Sequence, residues 1–163
     1  MKTKKITYIA LLSAVALIFG YIESLFPVFI AVPGIKLGLS NIVILFALYR
    51  LDKPSAFFIM LIKVTVLSLL FSGLNVFFYS LCGGFLSLFA MIIFKRINLS
   101  TVGISITGGI FHNLGQLLAA SIMLKTASVF YYLPVLLISG LIVGFITGMV
   151  CKLVLKNLKA LKF

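Results

Sequence analysis

Long apolar runs follow one another from Ile6 to Leu155, and they constrain the fold more than any other feature of the sequence. Of the 163 residues, 63% are hydrophobic, whereas ordinary globular domains are roughly 45–50% apolar. So little polar surface cannot enclose so much apolar surface in a water-soluble domain. The chain is therefore predicted to be an integral membrane protein, with runs suited to bilayer-spanning helices of about 20 residues.

Prolines, glycines and charged residues divide the sequence into six predicted spans, which form one transmembrane domain over residues 1–163. Pro27 ends the first span, and Pro54 and Pro134 lie near the start of later spans, where a missing N–H group costs little. The first apolar run is longer than the core of a usual signal peptide and is predicted to be retained. The predicted fold is an all-α bundle with spans over residues 6–26, 39–49, 55–71, 75–94, 101–124 and 133–155.

The distribution of positive charge predicts the orientation of the bundle. If the six spans alternate in direction, four separate clusters of Lys and Arg fall on one side, and the other side carries only Lys36 and Lys125. The positive-inside rule then places both termini in the cytoplasm, in the cell membrane of a bacterium. The four clusters are Lys2, Lys4 and Lys5; Arg50 and Lys53; Lys95 and Arg96; and Lys152, Lys156, Lys159 and Lys162.

Charge and cysteine content exclude several classes of function. The net charge of +12 does not indicate nucleic-acid binding, because the cations cluster at span ends, where they are expected to contact lipid phosphates. Glu23 and Asp52 are the only acidic residues, which argues against metal clusters and paired-carboxylate catalysis. Cys82 and Cys151 lie in apolar runs near opposite membrane sides and fit neither a disulfide nor a metal site. The chain is expected to be no enzyme and to hold no cofactor or metal.

The segment PGIKLGLSN, residues 33–41, interrupts the apolar sequence on the predicted outer side. Its Pro-Gly pair favours a turn, and Gly38 can adopt backbone angles that other residues avoid. Non-helical backbone at membrane depth must be buried in protein or line a wet cavity. The segment is therefore either a plain turn or a cap over a pocket, with Lys36, Ser40 and Asn41 as its binding groups.

Polar side chains inside other spans mark further candidates. Lys63 lies deep in the third span, where a lysine costs roughly 2.5–3.5 kcal/mol on insertion scales, and Glu23 is its obvious partner. This pair either fixes helix packing or contributes to binding. His112 and Gln116 share one face of the fifth span, with Asn113 beside them. These three either line a polar site or make interhelical hydrogen bonds alone.

Two patterns of small residues predict close helix contacts. Gly140, Gly144 and Gly148 form a GxxxGxxxG stripe on the sixth span, which is a general packing motif. Ala10 and Ala14 share a face of the first span and would let another helix approach closely.

Six spans, cytoplasmic termini, the AxxxA pattern and a structured loop after the first span together resemble the S components of energy-coupling factor (ECF) transporters. More narrowly, the strings PGIKLGLSNIV and HNLGQ resemble the Gx transporter family. That family also carries the name heptaprenyl diphosphate synthase component I. The resemblance extends over nearly the whole chain.

The resemblance to S components implies a pocket near the outer face for a vitamin-like or related small molecule, closed by the loop between the first two spans. Ala10 and Ala14 would dock on a transmembrane coupling subunit that carries two cytoplasmic ATPases, and this chain itself contains no GxxxxGK[ST] phosphate loop. Lys36, Lys63 and Lys125, set against Glu23, favour an anionic or amphiphilic ligand, and family context suggests a flavin-, isoprenoid- or quinone-related one.

A second interpretation stays open, in which the chain is a non-catalytic accessory or scaffold subunit of a prenyl diphosphate synthase or of a flavin/quinone redox assembly for extracellular electron transfer. Prenyl diphosphate synthesis needs aspartate-rich clusters that hold magnesium, and this chain has only Asp52, so it cannot be the catalytic subunit. The predicted docking residues are Ala10 and Ala14. The predicted ligand-binding residues are Glu23, Lys36, Ser40, Asn41, Lys63, His112, Asn113 and Gln116.

Overall fold

The computed structural model describes residues 2–25 and 37–158, and this part of the chain is almost entirely helical. The prediction of an all-helical protein is confirmed. Helix α5 begins and ends at the predicted residues, and most other helix ends lie a few residues beyond the predicted spans. The helices are α1 Lys2–Leu25, α2 Leu39–Arg50, α3 Lys53–Phe71, α4 Gly73–Arg96, α5 Thr101–Leu124 and α6 Leu133–Asn157, with a short 3-10 helix over Ser128–Tyr132 before α6.

The length and composition of these helices suit a membrane. Four segments are long and apolar enough to cross one, and α2 is a shorter apolar helix. Large apolar side chains point away from the bundle, as on Ile122 of α5, which is 76% exposed. The chain is thus a multi-pass membrane protein, and its orientation stays a prediction. The four segments are Thr3–Leu25, Lys53–Phe71, Gly73–Arg96 and Ser128–Asn157.

Helices α4, α5 and α6 pack closely at glycine residues. We call these contacts, at Gly109, Gly115 and Gly140, the glycine seam. A Cβ atom built on Gly109 of α5 would lie 2.5 Å from the Gly140 carbonyl oxygen of α6. On the opposite face of α5, a Cβ on Gly115 would lie 2.7 Å from the Cys82 carbonyl oxygen of α4. Glycine therefore lets α5 approach both neighbours at backbone contact, and the contact with α6 is the close packing that the stripe on the sixth span predicts.

Helix α2 is the most enclosed element of the bundle, with its side chains from Ile42 to Leu48 all buried. A Cβ atom on Gly38, just before α2, would lie 2.8 Å from Val143, midway along α6. Since a helix rises about 1.5 Å per residue, α2 begins about 15 Å from the level where α6 starts at Leu133. The first turn of α2 therefore lies deep inside the bundle.

At the other end of α2, contacts of Lys and Arg side chains join the neighbouring helices. Lys95 of α4 donates to the Leu48 carbonyl at 2.5 Å, and Arg50 donates to the Leu155 carbonyl of α6 at 3.3 Å. Lys5 of α1 forms an ion pair with Asp52, which precedes α3. These contacts bring the basic ends of α1, α2, α3, α4 and α6 together. We call this end of the bundle the basic end and the opposite one the far end.

Candidate ligand-binding site

Glu23 of α1 binds the first turn of α2. Its Oε1 atom accepts a hydrogen bond from the Leu39 backbone N–H at 2.8 Å, and its Oε2 atom accepts one from the Ser40 hydroxyl at 2.9 Å. Ser40 is only 1% exposed. A carboxylate from one helix thus caps the N-terminus of another inside an apolar bundle.

The local sequence explains why α2 needs this cap. Gly38 occupies the N-cap position in the left-handed region, with φ of 71°, and it has no side chain that could accept a hydrogen bond from the helix. An unsatisfied N–H group in a hydrocarbon environment is unfavourable by several kcal/mol. The Glu23 carboxylate satisfies the Leu39 N–H, and its negative charge is favourable near a helix N-terminus.

Lys63 of α3 binds the same turn of α2, where its Nζ atom donates to the Asn41 Oδ1 atom at 2.8 Å. An ammonium group can only donate, so this bond fixes the orientation of the amide and leaves the Asn41 NH2 group as a donor. The sequence predicts Glu23 as the partner of Lys63; in the structure the two charged side chains bind neighbouring residues of α2. We call Glu23, Ser40, Asn41 and Lys63 the α2 cluster.

The structure separates the three predicted polar residues of α5. Asn113 is buried and donates to the Leu136 carbonyl at 2.6 Å and to the Ser139 hydroxyl at 3.2 Å, both on α6. His112 and Gln116 lie against Gly83 of α4. They share a face, as their spacing predicts, whereas Asn113 points to another helix.

The side-chain oxygen of Gln116 lacks a hydrogen-bond partner among the described residues. This oxygen, Oε1, is buried. A buried amide oxygen without a partner is unfavourable by about 1–3 kcal/mol. Gln116 therefore keeps an unused hydrogen-bond acceptor, whereas Asn113 already bonds α6.

The remaining predicted residues divide into two groups. Lys36 and the predicted Pro-Gly turn before it lie outside the described residues, so the part of Lys36 in a cap stays a prediction. Ala10 and Ala14 are both exposed on α1, whereas Ser13 and Ala16 on the same helix face the bundle. A small-residue surface is thus available on the outside of the protein.

Sequence reasoning missed a second set of polar residues. The Ser105 and Thr147 hydroxyls lie 3.0 Å apart between α5 and α6, and with Ser87 of α4 they border a small cavity that also touches Asn41. A signal for them exists in the sequence, since each is a hydroxyl residue near a glycine in an apolar helix. Such residues are common in membrane helices, so the pattern alone does not distinguish them.

These features define a multi-pass helical membrane protein with a charged cluster in its interior. A profile of the family described as heptaprenyl diphosphate synthase component I matches residues 12–154, and the chain belongs to that family. The resemblance inferred from the sequence is confirmed under this family name. No curated protein and no solved structure matches the chain significantly.

Proposed function

We propose that the protein is a membrane subunit that binds a small anionic or amphiphilic molecule at the α2 cluster and passes it on within an ECF-type uptake system. The observation that supports this most is that two charged side chains, Glu23 of α1 and Lys63 of α3, bind one turn of a deeply buried helix. Ionisable side chains inside membrane bundles usually serve a binding site or a pathway. The Glu23 carboxylate serves as the cap of α2, but a purely structural clamp would not need a lysine at this depth.

The ligand class follows from the groups that the cluster offers. Lys63 carries three N–H donors on a cationic head, and Asn41 adds an amide. The Glu23 carboxylate is engaged by two donors of α2, so it positions the turn rather than the ligand. We infer an anionic head bound at Lys63 and a less polar remainder among the apolar side chains.

Transport needs an energy source that this chain does not contain. Its sequence has no phosphate loop, so ATP hydrolysis would belong to partner subunits. The exposed Ala10 and Ala14 offer a smooth face for a transmembrane coupling subunit, because small residues let helix backbones approach closely. Docking there would connect the binding subunit to cytoplasmic ATPases.

Mass spectrometry of small molecules retained by the purified protein tests the binding claim. Wild type is expected to retain an anionic species that Lys63→Met loses. Thr107→Val is a matched control, since the Thr107 hydroxyl bonds only the Ile104 carbonyl of its own helix among the described contacts, at 2.8 Å. Equal retention by wild type and Lys63→Met would remove the assignment of this site.

Copurification tests the docking claim. Ala10→Arg and Ala14→Arg are expected to abolish copurification with a coupling subunit while the protein stays folded. Phe89→Arg is the matched control, because Phe89 is 62% exposed at a similar distance from the basic end, on α4. If the complex survives both alanine substitutions, or is lost equally in Phe89→Arg, the proposed interface is wrong.

The family name supports a second candidate, a non-catalytic subunit of a prenyl diphosphate synthase. With a single aspartate, the chain would have to act beside a separate catalytic chain. In the other version of this accessory role, the chain would be a subunit of a flavin/quinone redox assembly. Affinity purification from native membranes separates the candidates: an ATPase and a coupling subunit support transport, whereas a prenyl synthase or redox partner without any ATPase supports the accessory role.

A further inference from the structure

A small cavity lies between α2, α4, α5 and α6, and Asn41, the partner of Lys63, borders it. Its volume is about 20 Å³, and Leu45, Met91 and Val143 contribute apolar parts of its wall. Its polar wall comes from one side chain on each of the four helices. These are Asn41, Ser87, Ser105 and Thr147.

The hydrogen bonds already present show which groups of the wall remain available. The Thr147 hydroxyl donates to the Val143 carbonyl of its own helix at 2.8 Å, so the Ser105 hydroxyl is the donor in the contact between them. The Ser105 oxygen then keeps lone pairs as an acceptor. Since the Asn41 oxygen accepts from Lys63, the Asn41 NH2 group is left to donate. The wall therefore presents both a donor and an acceptor.

The volume of the cavity limits what can bind in it. A buried water needs about 10–15 Å³ measured in this way and two to four polar partners, and cavities that stay dry are apolar. This cavity has room for one water and none for a larger molecule. A cation is disfavoured, because the NH2 group and the nearby Lys63 ammonium both repel positive charge.

We propose that this cavity is a binding site for one buried water, which accepts from the Asn41 NH2 group and donates to the Ser105 hydroxyl. The water completes a hydrogen-bond chain from Lys63 through Asn41 to Ser105, Thr147 and the Val143 carbonyl. The α2 cluster is thereby connected to the α5–α6 pair. This site does not depend on the proposed transport function.

Two buried methionines allow a direct test by X-ray hydroxyl-radical footprinting, in which X-rays split a bound water and the hydroxyl radical that forms oxidises the side chain beside it. Met91 borders the cavity and is 5% exposed, whereas Met60 is 1% exposed and packs against Gly84, away from it. Both sulfurs are shielded from bulk solvent and would react slowly without a local water. Met91 is expected to be oxidised several times faster than Met60.

Filling the cavity should remove this difference. A Cβ atom on Gly108 would meet the flexible Met91 side chain at 2.9 Å and the Ser87 hydroxyl at 3.3 Å, so Gly108→Ala takes up cavity space. Gly103→Ala is the matched control, since its Cβ meets the flexible Leu99 side chain at 2.8 Å elsewhere on α5. Met91 oxidation is expected to fall to the rate of Met60 in Gly108→Ala and to stay fast in Gly103→Ala.

If Gly108→Ala does not fold, Ser105→Ala replaces it, because it removes the acceptor of the water without filling the cavity. The same fall in Met91 oxidation is expected. Equal slow oxidation of Met91 and Met60 in the native protein overturns the proposal. An undiminished rate at Met91 in the folded cavity variant overturns it as well.

Discussion

Asn41 and Asn113 are two asparagines in the interior of the same bundle, yet their surroundings differ. Asn113 bonds a carbonyl and a hydroxyl of α6, and its neighbours in the glycine seam leave little free space. Asn41 bonds an ammonium group and borders a cavity. The first arrangement is that of a residue that joins two helices, and the second is that of a residue with a charged partner and a donor left over. Only the second has the features expected of a binding residue.

The glycine seam should be the least tolerant region of the molecule. Gly109→Val places a branched side chain where the Gly140 carbonyl oxygen lies 2.5 Å from a Cβ position. Backbone atoms cannot move aside as a side chain does, so we expect a destabilisation of about 3 kcal/mol or more. Thermal unfolding in detergent measures it, with Gly103→Val as the control of smaller effect. Equal melting temperatures for the two variants would show that the seam is loosely packed.

Asn113→Leu should lower the stability of the folded protein without affecting ligand binding. The Leu136 carbonyl and the Ser139 hydroxyl each lose a partner, at an expected cost of about 1–2 kcal/mol in the membrane-embedded protein. Asn41→Leu should instead abolish ligand retention, and it also removes the acceptor of the Lys63 ammonium. Melting temperature and mass spectrometry on the same preparations separate the two effects. Loss of ligand in Asn113→Leu with its fold intact would erase the distinction between the two asparagines.

Glu23→Gln probes the cap of α2. The neutral amide keeps one acceptor for the Leu39 N–H but gives up the charge at the helix N-terminus, an interaction worth about 0.3–1 kcal/mol or more when partly buried. Hydrogen exchange at the Leu39 and Ser40 amides should accelerate, while amides later in α2 stay protected. Unchanged exchange at Leu39 would mean that Glu23 does not hold this turn.

Asp52→Asn, at the basic end, should have the smallest effect. Hydrogen bonds from Lys5 and then Ser55 lower the pKa of Asp52 to about 2. A lowered folded-state pKa stabilises the protein above the unfolded value of 3.8, and this stabilisation is lost as pH falls towards 2. Because the pair is solvent-exposed, it contributes below about 1 kcal/mol. The free energy of unfolding, measured by denaturation at several pH values, should be slightly higher for wild type than for Asp52→Asn near neutral pH. This difference should disappear as the pH falls from 3.8 towards 2. A difference that does not change with pH would assign the effect to another contact.

Much of the fold could be predicted from the sequence, because each apolar helix is defined by local composition. Helix α5 begins and ends where its apolar run does, and the brevity of α2 is visible between Gly38 and Arg50. The shared face of His112 and Gln116 follows from helical spacing alone.

The partners of the polar residues could not be predicted in the same way. Spacing along one helix gives the relative direction of its side chains but not the neighbour that each one meets. Asn113, one residue from His112, therefore reaches α6 instead of α4. The attraction of opposite charges suggests Glu23 as the partner of Lys63, but it does not predict that Glu23 bonds the Leu39 N–H and that Lys63 bonds Asn41. Those contacts depend on how three helices pack.

The central claim is that the α2 cluster binds a ligand and is more than a clamp. The retained molecule, once identified, can be titrated into ligand-free wild type and Lys63→Met while both melting temperatures are recorded. Loss of a charge-assisted hydrogen bond worth about 1.5–3 kcal/mol should raise the Kd about 10- to 150-fold. The melting temperature of the ligand-free variant should stay the same or rise, because an apolar side chain replaces an intramembrane charge. An unchanged Kd together with a lower melting temperature would show that Lys63 only holds the bundle together.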